Sequence, residues 1–409
     1  MNTRTDATEG SLPADRLGPG PQLAAWAAGL GLLLVGAWLF LTPHAWATLY
    51  QRDLPAYQGA IDAFAAGHDP YQPAQVRHAH GLPFIAPPFV WLLYKLAAHS
   101  PLRPMFGSVL MTVDIVSVVA LPVILSRLFL GPGAGRTVLG AGFFFTAFLG
   151  SGVFTALVVN NGTPLYALIA LGLIDAVRRG RWLGFHLAVA LATAFKPFYA
   201  AFWLVPLLAD AESRRQWAAG ALAVGAGAAS YVLPLLLAPR LMAAWLHTLV
   251  TQVVDHDRLG DNLLGAMTAE PLARHVPPWA SSWAPYAAHL ALSAVLVGGS
   301  LLLGRLDRTQ RIAGLLLAAV FLNPRAMRYD LSMATIPLLA VVAGAVSRGP
   351  PEDFPSGTVQ AASAVILAGV MIVFSQDKPA DGLLYAGIAV AALLGAILAS
   401  RHASPAPNS

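Results

Sequence analysis

The chain has 409 residues, of which 57% are hydrophobic and only 11% are charged. Soluble globular proteins carry about 25% charged residues, so this composition excludes an ordinary water-soluble domain and favours the bilayer as solvent. The net charge of +5 does not indicate nucleic-acid binding, because the Lys and Arg residues lie in short connectors between apolar runs. The absence of cysteine excludes disulfides, thiolate metal sites and a cysteine nucleophile.

Unbroken apolar runs predict transmembrane helices. About 20 apolar residues span a hydrocarbon core of roughly 30 Å, and these runs lack the alternation of barrel strands. The five clearest runs, each charge-free except at its edges, are 23–41, 218–238, 283–303, 357–374 and 382–399. We therefore predict an all-α polytopic membrane protein with about 12 transmembrane helices.

The polar ends of the chain are expected to lie outside this membrane domain. Residues 1–22 are polar and rich in Pro and Gly, which predicts a disordered cytoplasmic tail. The run 23–41 lacks a small-residue cleavage signal, so we expect it to be retained as the first helix. Residues 23–400 are then one transmembrane domain, and 401–409 form a second cytoplasmic tail.

Arginine-rich connectors set the topology, because basic connectors stay on the cytoplasmic side. The Arg residues cluster at 178–181, 214–215, 305–311 and 348. Between the first two clusters, Lys196-Pro197 interrupts about 30 apolar residues, which predicts two short helices with Lys196 facing outside. The same counting places a first outer loop at 43–84, a large outer loop at 239–280, and further outer segments at 160–162 and 323–330.

Residues 85–159 contain three apolar runs where the topology requires an even number of crossings. Either 85–98 enters the outer interface without crossing, or 137–159 breaks at Gly150-Ser151-Gly152. We favour the first alternative because it places Arg127 and Arg136 inside.

Polar residues gather on the predicted outer side. Asp53 and Tyr57 begin a segment with apolar positions typical of an interfacial helix, and their spacing of four puts them on one face. A turn follows at 67–71, which contains Asp69 and Tyr71. Other outer polar residues farther along the chain are Asn161, Asn262, Tyr329 and Asp330.

Three outer cations, Lys196, Arg325 and Arg328, run against the positive-inside rule. For any one of these residues, the ordinary interpretation is that it ends a helix and extends its charged group to the membrane interface. Three cations beside carboxylates at one membrane boundary, however, suit a phosphate that carries a lipid tail. Arg binds phosphate oxygens bidentately and Lys supplies a point charge.

Other charged residues are weaker candidates. His78-Ala79-His80 and Asp255-His256-Asp257 have metal-binding residue types, but solvated loops explain both, and we predict no metal site. Asp114 lies inside an apolar run, where a charge is costly and is usually functional or paired. Asp175 is expected to pair locally with Arg178. No phosphate-binding loop, dinucleotide motif or serine-hydrolase motif is present.

In their order along the chain, these pieces resemble the GT-C superfamily of membrane glycosyltransferases, and most closely glycosyltransferase family 87, the polyprenol-phosphate-mannose-dependent mannosyltransferases. The resemblance covers about residues 23–347. It is carried by Asp53 and Tyr57, by Gly67-His68-Asp69-Pro70-Tyr71 for the family's Gly-x-Asp-x-Tyr, by 84–88 for its Tyr-Pro-Pro, and by Lys196-Pro197 for its Lys-Pro.

The resemblance implies a GT-C-like fold and transfer of a sugar from a polyprenyl-phosphate donor to a lipid or glycan acceptor, outside a bacterial plasma membrane. The resemblance implies Asp53 as the general base. The outer cations Lys196, Arg325 and Arg328 are expected to bind the donor phosphate, so that no metal or other cofactor is required. The chain differs from the family at 160–163, in place of Gly-Gln-x-Asn, and at 323–330, in place of Ser-Pro-x-Ser-Trp. Both segments are expected near the sugar, so its identity stays open.

Two other functions remain alternatives. A secondary transporter or lipid flippase usually shows internal repeats and ionisable residues at the bilayer midplane. No repeat is visible here and the polar residues favour one face, but Asp114 fits that function. A purely structural or assembly protein is the third class.

Overall fold

The structure is a computed structural model. It describes residues 19–41, 54–71, 86–149, 162–210, 214–249, 284–303, 308–323, 330–347 and 356–374, together with 277, 387–388, 390–392 and 394. Every regular element in this part of the chain is helical. The all-α class predicted from the composition is therefore confirmed for the described residues.

The α-helices, numbered in chain order, are α1 Pro19–Leu41, α2 Leu54–Ala65, α3 Pro88–Ala98, α4 Phe106–Phe129, α5 Ala134–Leu149, α6 Thr163–Arg179, α7 Leu183–Phe195, α8 Leu204–Ala209, α9 Arg214–Leu237, α10 Pro239–Leu249, α11 Ala284–Leu303, α12 Arg308–Phe321, α13 Leu331–Val346 and α14 Gly357–Phe374. Short 3₁₀ helices precede α4 at Arg103–Met105 and α8 at Pro197–Trp203.

Three helical segments are long and apolar enough to cross a bilayer, namely Pro19–Trp38, Arg103–Phe129 and Trp217–Leu237. Several shorter apolar helices accompany them. Large apolar side chains such as Leu34, Leu222 and Leu237 are exposed on these segments. Exposed leucines on a spanning helix are solvated by lipid, so the chain is a membrane protein.

Helix bounds follow the apolar runs closely. Four of the five predicted runs coincide with α1, α9, α11 and α14, and the described residues of the fifth, 382–399, are helical. The first helix begins at Pro19, earlier than the predicted boundary after residue 22. Proline is favoured in a first helical turn because it lacks only an N–H that would be unpaired there. Residues 1–18 and 401–409 lie outside the described chain.

Close approach of α1 and α5 depends on glycine. A Cβ atom added to Gly29 would lie 2.6 Å from the backbone nitrogen of Leu139, so only glycine allows this contact. Between the same two helices, the buried Thr146 hydroxyl donates to the carbonyl oxygen of Leu32 at 2.5 Å. Small residues and hydroxyl bonds of this kind join helices in bilayers, where the hydrophobic effect between helices is absent.

One end of the helix bundle, which we call the basic end, is held by Arg308 at the start of α12. Its guanidinium binds the Asp210 carboxylate at 2.5 Å and donates to the carbonyl oxygens of Val177 and Ala176 near the end of α6, at 2.9 and 3.1 Å. The indole of Trp182 donates to the same carboxylate at 2.7 Å. Arg308 thus joins the ends of α6 and α8 to the start of α12.

The Asp210 carboxyl group has a pKa below its ordinary value. Burial alone would raise that pKa, but hydrogen bonds from Arg308 and Trp182, with the charges of Arg308 and Arg311, outweigh burial. The stabilisation by this ionised group is present above the unfolded-state pKa of about 4 and is lost as the pH falls through the lower folded-state pKa.

The break at Lys196-Pro197 is present as predicted. Helix α7 ends at Phe195, Lys196 is extended, and a 3₁₀ helix begins at Pro197. Because α6 and α7 form a hairpin whose connector lies at the basic end, the start of α6 and the end of α7 lie at the opposite end. We call this the polar end, and it contains Gly162, Lys196, Asn323 and Asp330.

The predicted interfacial segment after the first helix is α2, whose Ile61 and Phe64 are buried. Helix α3 has 11 residues and is about 17 Å long, roughly half the thickness of a hydrocarbon core. This length agrees with the alternative in which 85–98 does not cross. The competing break at 150–152 lies outside the described residues, just after α5 ends at Leu149.

The predicted partner of Asp175 is wrong. Its carboxylate binds Arg179 at 2.8 Å, not Arg178. Residues three and four apart are both neighbours on a helix surface, and here the spacing of four, with the acidic residue before the Arg, is the one that forms the pair.

We expect Arg308→Gln to lower the free energy of unfolding by about 2 kcal/mol, because it removes charged hydrogen bonds that join three helices. Arg179→Gln is the matched control. Its ion pair is more exposed, at 67% and 44% against 35% and 25% for the Arg308 pair, and is worth about 0.5 kcal/mol or less. Thermal unfolding of the purified protein in detergent measures both changes. Equal effects of the two variants would contradict the joining role of Arg308.

Candidate functional site

A buried carboxylate organises the polar end. Asp330 immediately precedes α13 and is fully buried. Its Oδ1 accepts a hydrogen bond from the Tyr166 hydroxyl on α6 at 2.7 Å, and its Oδ2 accepts from the Asn323 side-chain amide after α12 at 3.3 Å. A buried carboxylate without donors is strongly destabilising, so these bonds fix where α6, α12 and α13 meet.

Aromatic rings pack against Tyr166, the donor to this carboxylate. The rings of Tyr166 and Tyr199 meet edge to face with centroids 5.0 Å apart, and Phe202 packs against Tyr166 at 6.0 Å. The Tyr199 hydroxyl donates to the carbonyl oxygen of Gly162 at 3.3 Å. The 3₁₀ helix that contains Tyr199 and Phe202 is thereby held against the first turn of α6.

Lys196 lies at the edge of the same cluster. Its carbonyl oxygen accepts the backbone N–H of Tyr199 at 3.2 Å, and its ammonium lies 5.9 Å from the centroid of the Phe198 ring. The side chain is half-buried. Gly162-Thr163, Lys196-Pro197 and the pair Asn323 and Asp330, far apart in the sequence, therefore converge at one end of the bundle.

A second cluster of aromatic residues surrounds α2 near this end. The rings of Tyr57 on α2 and Tyr94 on α3 lie 6.0 Å apart, and Tyr94 packs edge to face on Phe106 at 5.4 Å. Ala60, Ile61 and Phe64 of α2 share a buried core with Met242 and Trp245 of α10. Helix α2 is thus fixed against α3 and α10 with Tyr57 on its packed side.

The turn at 67–71 forms as predicted. Gly67 has a positive φ of 76°, which glycine adopts without strain. Asp69 Oδ1 accepts the backbone N–H of Tyr71 at 2.9 Å, and the Tyr71 hydroxyl donates to the carbonyl oxygen of Ala86 at 2.6 Å. Burial, and then the charge of Asp69, raises the pKa of Tyr71 above its usual value, so Tyr71 stays a protonated donor that fixes this loop.

The two clusters are joined through Tyr231 on α9. Its ring lies 5.9 Å from that of Trp245 in the α2 cluster. Its hydroxyl donates to the carbonyl oxygen of Thr193 at 2.6 Å, one turn before Lys196. Tyr57, Asp69 and Tyr71 are thereby connected to the end of the bundle that contains Lys196 and Asp330.

Six of the predicted site residues lie outside the described part of the chain: Asp53, Asn161, Asn262, Arg325, Arg328 and Tyr329. The histidines at 78 and 80 and the acidic triplet 255–257 also lie outside it. Asp53 is adjacent to the first residue of α2, and Arg325 and Arg328 belong to the six-residue connector between Asn323 and Asp330. Among the described residues, no three His, Asp or Glu side chains are grouped as metal ligands.

Sequence reasoning missed Tyr166, Tyr199 and the direct role of Asn323. Tyr166 follows the Asn161-Gly162-Thr163 segment by one helical turn, and Tyr199 follows Lys196 by three residues. Each tyrosine lies about one turn after a polar interruption of an apolar run. This position could have indicated a hydrogen bond, since a buried Tyr hydroxyl usually has a partner. The partner itself, Asp330, is 164 residues away from Tyr166.

No known protein family, curated protein or solved structure matches this chain.

We expect Tyr166→Phe to lower the free energy of unfolding by about 1.5–3 kcal/mol, because it removes a short hydrogen bond to a buried carboxylate and leaves the ring in place. Tyr199→Phe is the control. It removes a longer bond to a neutral carbonyl in the same cluster and should cost about 1 kcal/mol or less. Thermal unfolding in detergent compares the two variants. A Tyr199→Phe effect as large as that of Tyr166→Phe would show that the carboxylate does not organise the cluster.

Proposed function

We propose that the chain is an inverting membrane glycosyltransferase that moves a sugar from a polyprenyl-phosphate donor to a lipid or glycan acceptor. The observation that carries the proposal is the convergence of Lys196 and Asp330, with the segment that begins α6, at one end of the bundle. A cation and a carboxylate held at one membrane boundary suit a substrate with a lipid tail, an anionic phosphate and a hydroxyl-rich sugar.

Charge supports the position of the donor phosphate. Lys196 is close to the bundle end from which the connector with Arg325 and Arg328 departs. Two guanidinium groups and one ammonium group would neutralise a phosphodiester and the phosphate that leaves, without requiring a metal ion. The hydrocarbon tail would extend along the exposed apolar helix faces.

The reaction needs one base and one stabilised leaving group. Asp53, one residue before α2, accepts the proton of an acceptor hydroxyl, whose oxygen attacks the anomeric carbon of the donor sugar. The bond between that carbon and the phosphate oxygen breaks, and the electron pair leaves on the lipid phosphate. Lys196, Arg325 and Arg328 stabilise this charge as it develops. Because a phosphate leaves as an anion, no general acid is required.

The proposal includes a GT-C-like arrangement of about 12 transmembrane helices in a bacterial plasma membrane, with the basic end inside and the polar end outside. Arg178, Arg179 and Arg181 lie at the basic end, as the positive-inside rule requires. On this topology the sugar is transferred at the outer face, where α2 lies at the interface and Tyr57, Asp69, Tyr71, Asn161, Asn262, Tyr329 and Asp330 line the sugar and acceptor pocket.

A secondary transporter is the second candidate, and Asp114 is the observation in its favour. The residue is fully buried within the spanning helix α4. Ionisable groups within a membrane mark ion or substrate paths in transporters. Incubation with a labelled polyprenyl-phosphate sugar separates the two functions, since hydrolysis or transfer supports the enzyme and uptake into vesicles supports the transporter.

We expect Asp53→Asn to reduce sugar transfer by 10² or more, since a general base contributes about 10²–10⁴-fold and Asn keeps the size of the side chain without its basicity. Asp62→Asn, within α2, is the matched control. Its carboxylate is exposed and already bound to Arg103 at 2.6 Å, so transfer should change less than about twofold. Turnover in reconstituted vesicles measures both. A fully active Asp53→Asn variant would transfer the assignment to Asp69 or Asp330.

We expect Lys196→Ala to weaken donor binding and to slow transfer together, at a cost of about 1.5–3 kcal/mol for a charged hydrogen bond. Lys196→Arg should restore only part of the activity, because a planar guanidinium does not replace a compact ammonium. Lys95→Ala changes an exposed lysine of α3 and serves as the control. Initial rates against donor concentration measure the effect. Unchanged saturation curves for Lys196→Ala and Arg325→Ala would leave these residues with a role in topology only.

A further inference from the structure

Three of the buried polar side chains that have no hydrogen-bond partner lie on three helices that pack together. In the described structure, no hydrogen-bond partner is found for either carboxylate oxygen of Asp114 on α4. The same holds for two hydroxyls, that of Thr163 at the start of α6 and that of Ser332 in the first turn of α13. All three residues are fully buried. Helices α4, α6 and α13 are mutual neighbours in the bundle.

The three residues also lie at similar distances along their helices from the ends at the basic side. Arg103, just before α4, binds Asp62 of α2, so α4 begins at the polar end and, like α6 and α13, runs towards the basic end. Asp114 precedes the last residue of α4 by fifteen residues, Thr163 precedes that of α6 by sixteen, and Ser332 precedes that of α13 by fourteen. At 1.5 Å per residue, each is about 21–24 Å from the ends at the basic side.

Asp114 also marks where α4 enters the bundle. The first eight residues of α4, from Phe106 to Val113, are exposed or half-buried, and the buried face of the helix begins at Asp114. On the two neighbouring helices, Tyr166 lies one turn after Thr163 and Asp330 lies two residues before Ser332, and the two are joined by the bond already described. The helix of Asp114 therefore packs against both helices that form the polar cluster.

A carboxylate and two hydroxyls buried without partners cost several kcal/mol in total unless a ligand supplies their hydrogen bonds. The ligand must donate to the carboxylate and both donate to and accept from the hydroxyls. Vicinal hydroxyl groups of a sugar ring meet this requirement, since each offers one donor and two acceptor positions. The ring of Tyr166, one turn after Thr163, packs edge to face on that of Tyr199, so an apolar surface lies beside these polar groups.

We propose that Asp114, with the hydroxyls of Thr163 and Ser332, forms a pocket that binds the hydroxyl groups of the donor sugar. This inference rests on the proposed function and adds a sugar-binding residue from within the membrane to the phosphate ligands at its boundary. It assigns Asp114 to recognition of the donor rather than to ion transport.

The test uses the full chain in lipid nanodiscs and two probes, a polyprenyl phosphate and the same lipid bearing mannose. The wild-type protein should bind the mannose-bearing lipid about tenfold more tightly than the bare lipid phosphate. Asp114→Asn should abolish this difference and leave binding of the bare lipid phosphate unchanged. Thr163→Val and Ser332→Ala should reduce the difference by about two- to fivefold each.

Ser117→Ala is the control variant. Ser117 lies one turn beyond Asp114 on α4, and its hydroxyl is already satisfied by the carbonyl oxygen of Val113 at 2.6 Å. The Ser117→Ala variant should prefer the mannose-bearing lipid over the bare lipid phosphate by the same factor as the wild type. Unfolding temperatures keep the result interpretable, because Asp114→Asn removes no hydrogen bond and should leave the ligand-free protein at least as stable as the wild type.

Several outcomes would overturn the proposal. If Asp114→Asn keeps the tenfold preference, or if the wild type binds both lipids equally, Asp114 does not bind the sugar. The proposed function would still be supported if binding of the lipid phosphate depends on Lys196. Stabilisation by NaCl over choline chloride that needs no lipid and disappears in Asp114→Asn would instead assign a cation site. If the wild type binds neither lipid, the proposed function itself fails.

Discussion

The hydrogen bond from the Tyr166 hydroxyl to Asp330 is the interaction on which the polar end of this protein depends. In a bilayer, helices gain little from burying apolar surface against one another, so polar contacts and close packing decide their relative positions. The Tyr166 bond connects α6 to α13, and the Asn323 bond adds the end of α12 to the same carboxylate. Segments separated by 164 residues are thereby placed next to each other.

A complementary interaction acts at the other end of the same helices. Arg308 at the start of α12 holds the last turn of α6 and the Asp210 carboxylate at the end of α8. Basic side chains near a helix C-terminus satisfy carbonyls that have no partner within the helix. Because a polar cluster joins these helices at each end, sliding of α6 along α12 would break hydrogen bonds to charged groups at both ends. The positions of Lys196 and Tyr166 along the bundle axis are therefore fixed.

Buried polar groups without hydrogen bonds destabilise the ligand-free fold where they occur. Asp114, Thr163 and Ser332 lie on three adjacent helices, two of which also hold the hydrogen-bonded pair Tyr166 and Asp330. Residues that destabilise the ligand-free fold are commonly found where a substrate binds. His186 on α7 is also buried with neither ring nitrogen bonded, and nothing in the described structure explains it.

The sequence by itself determined the solvent, the helical class, the apolar runs that form α1, α9, α11 and α14, the break at Lys196 and the turn at 67–71. These features depend on apolar length and on local backbone preferences. Only the tertiary structure decided that Asp330 is bonded to Tyr166, that Arg308 joins three helix ends and that Asp114 has no partner. Such pairings depend on which helix faces meet, and helix–helix contact in a membrane leaves no periodic pattern in a single sequence that names the partner.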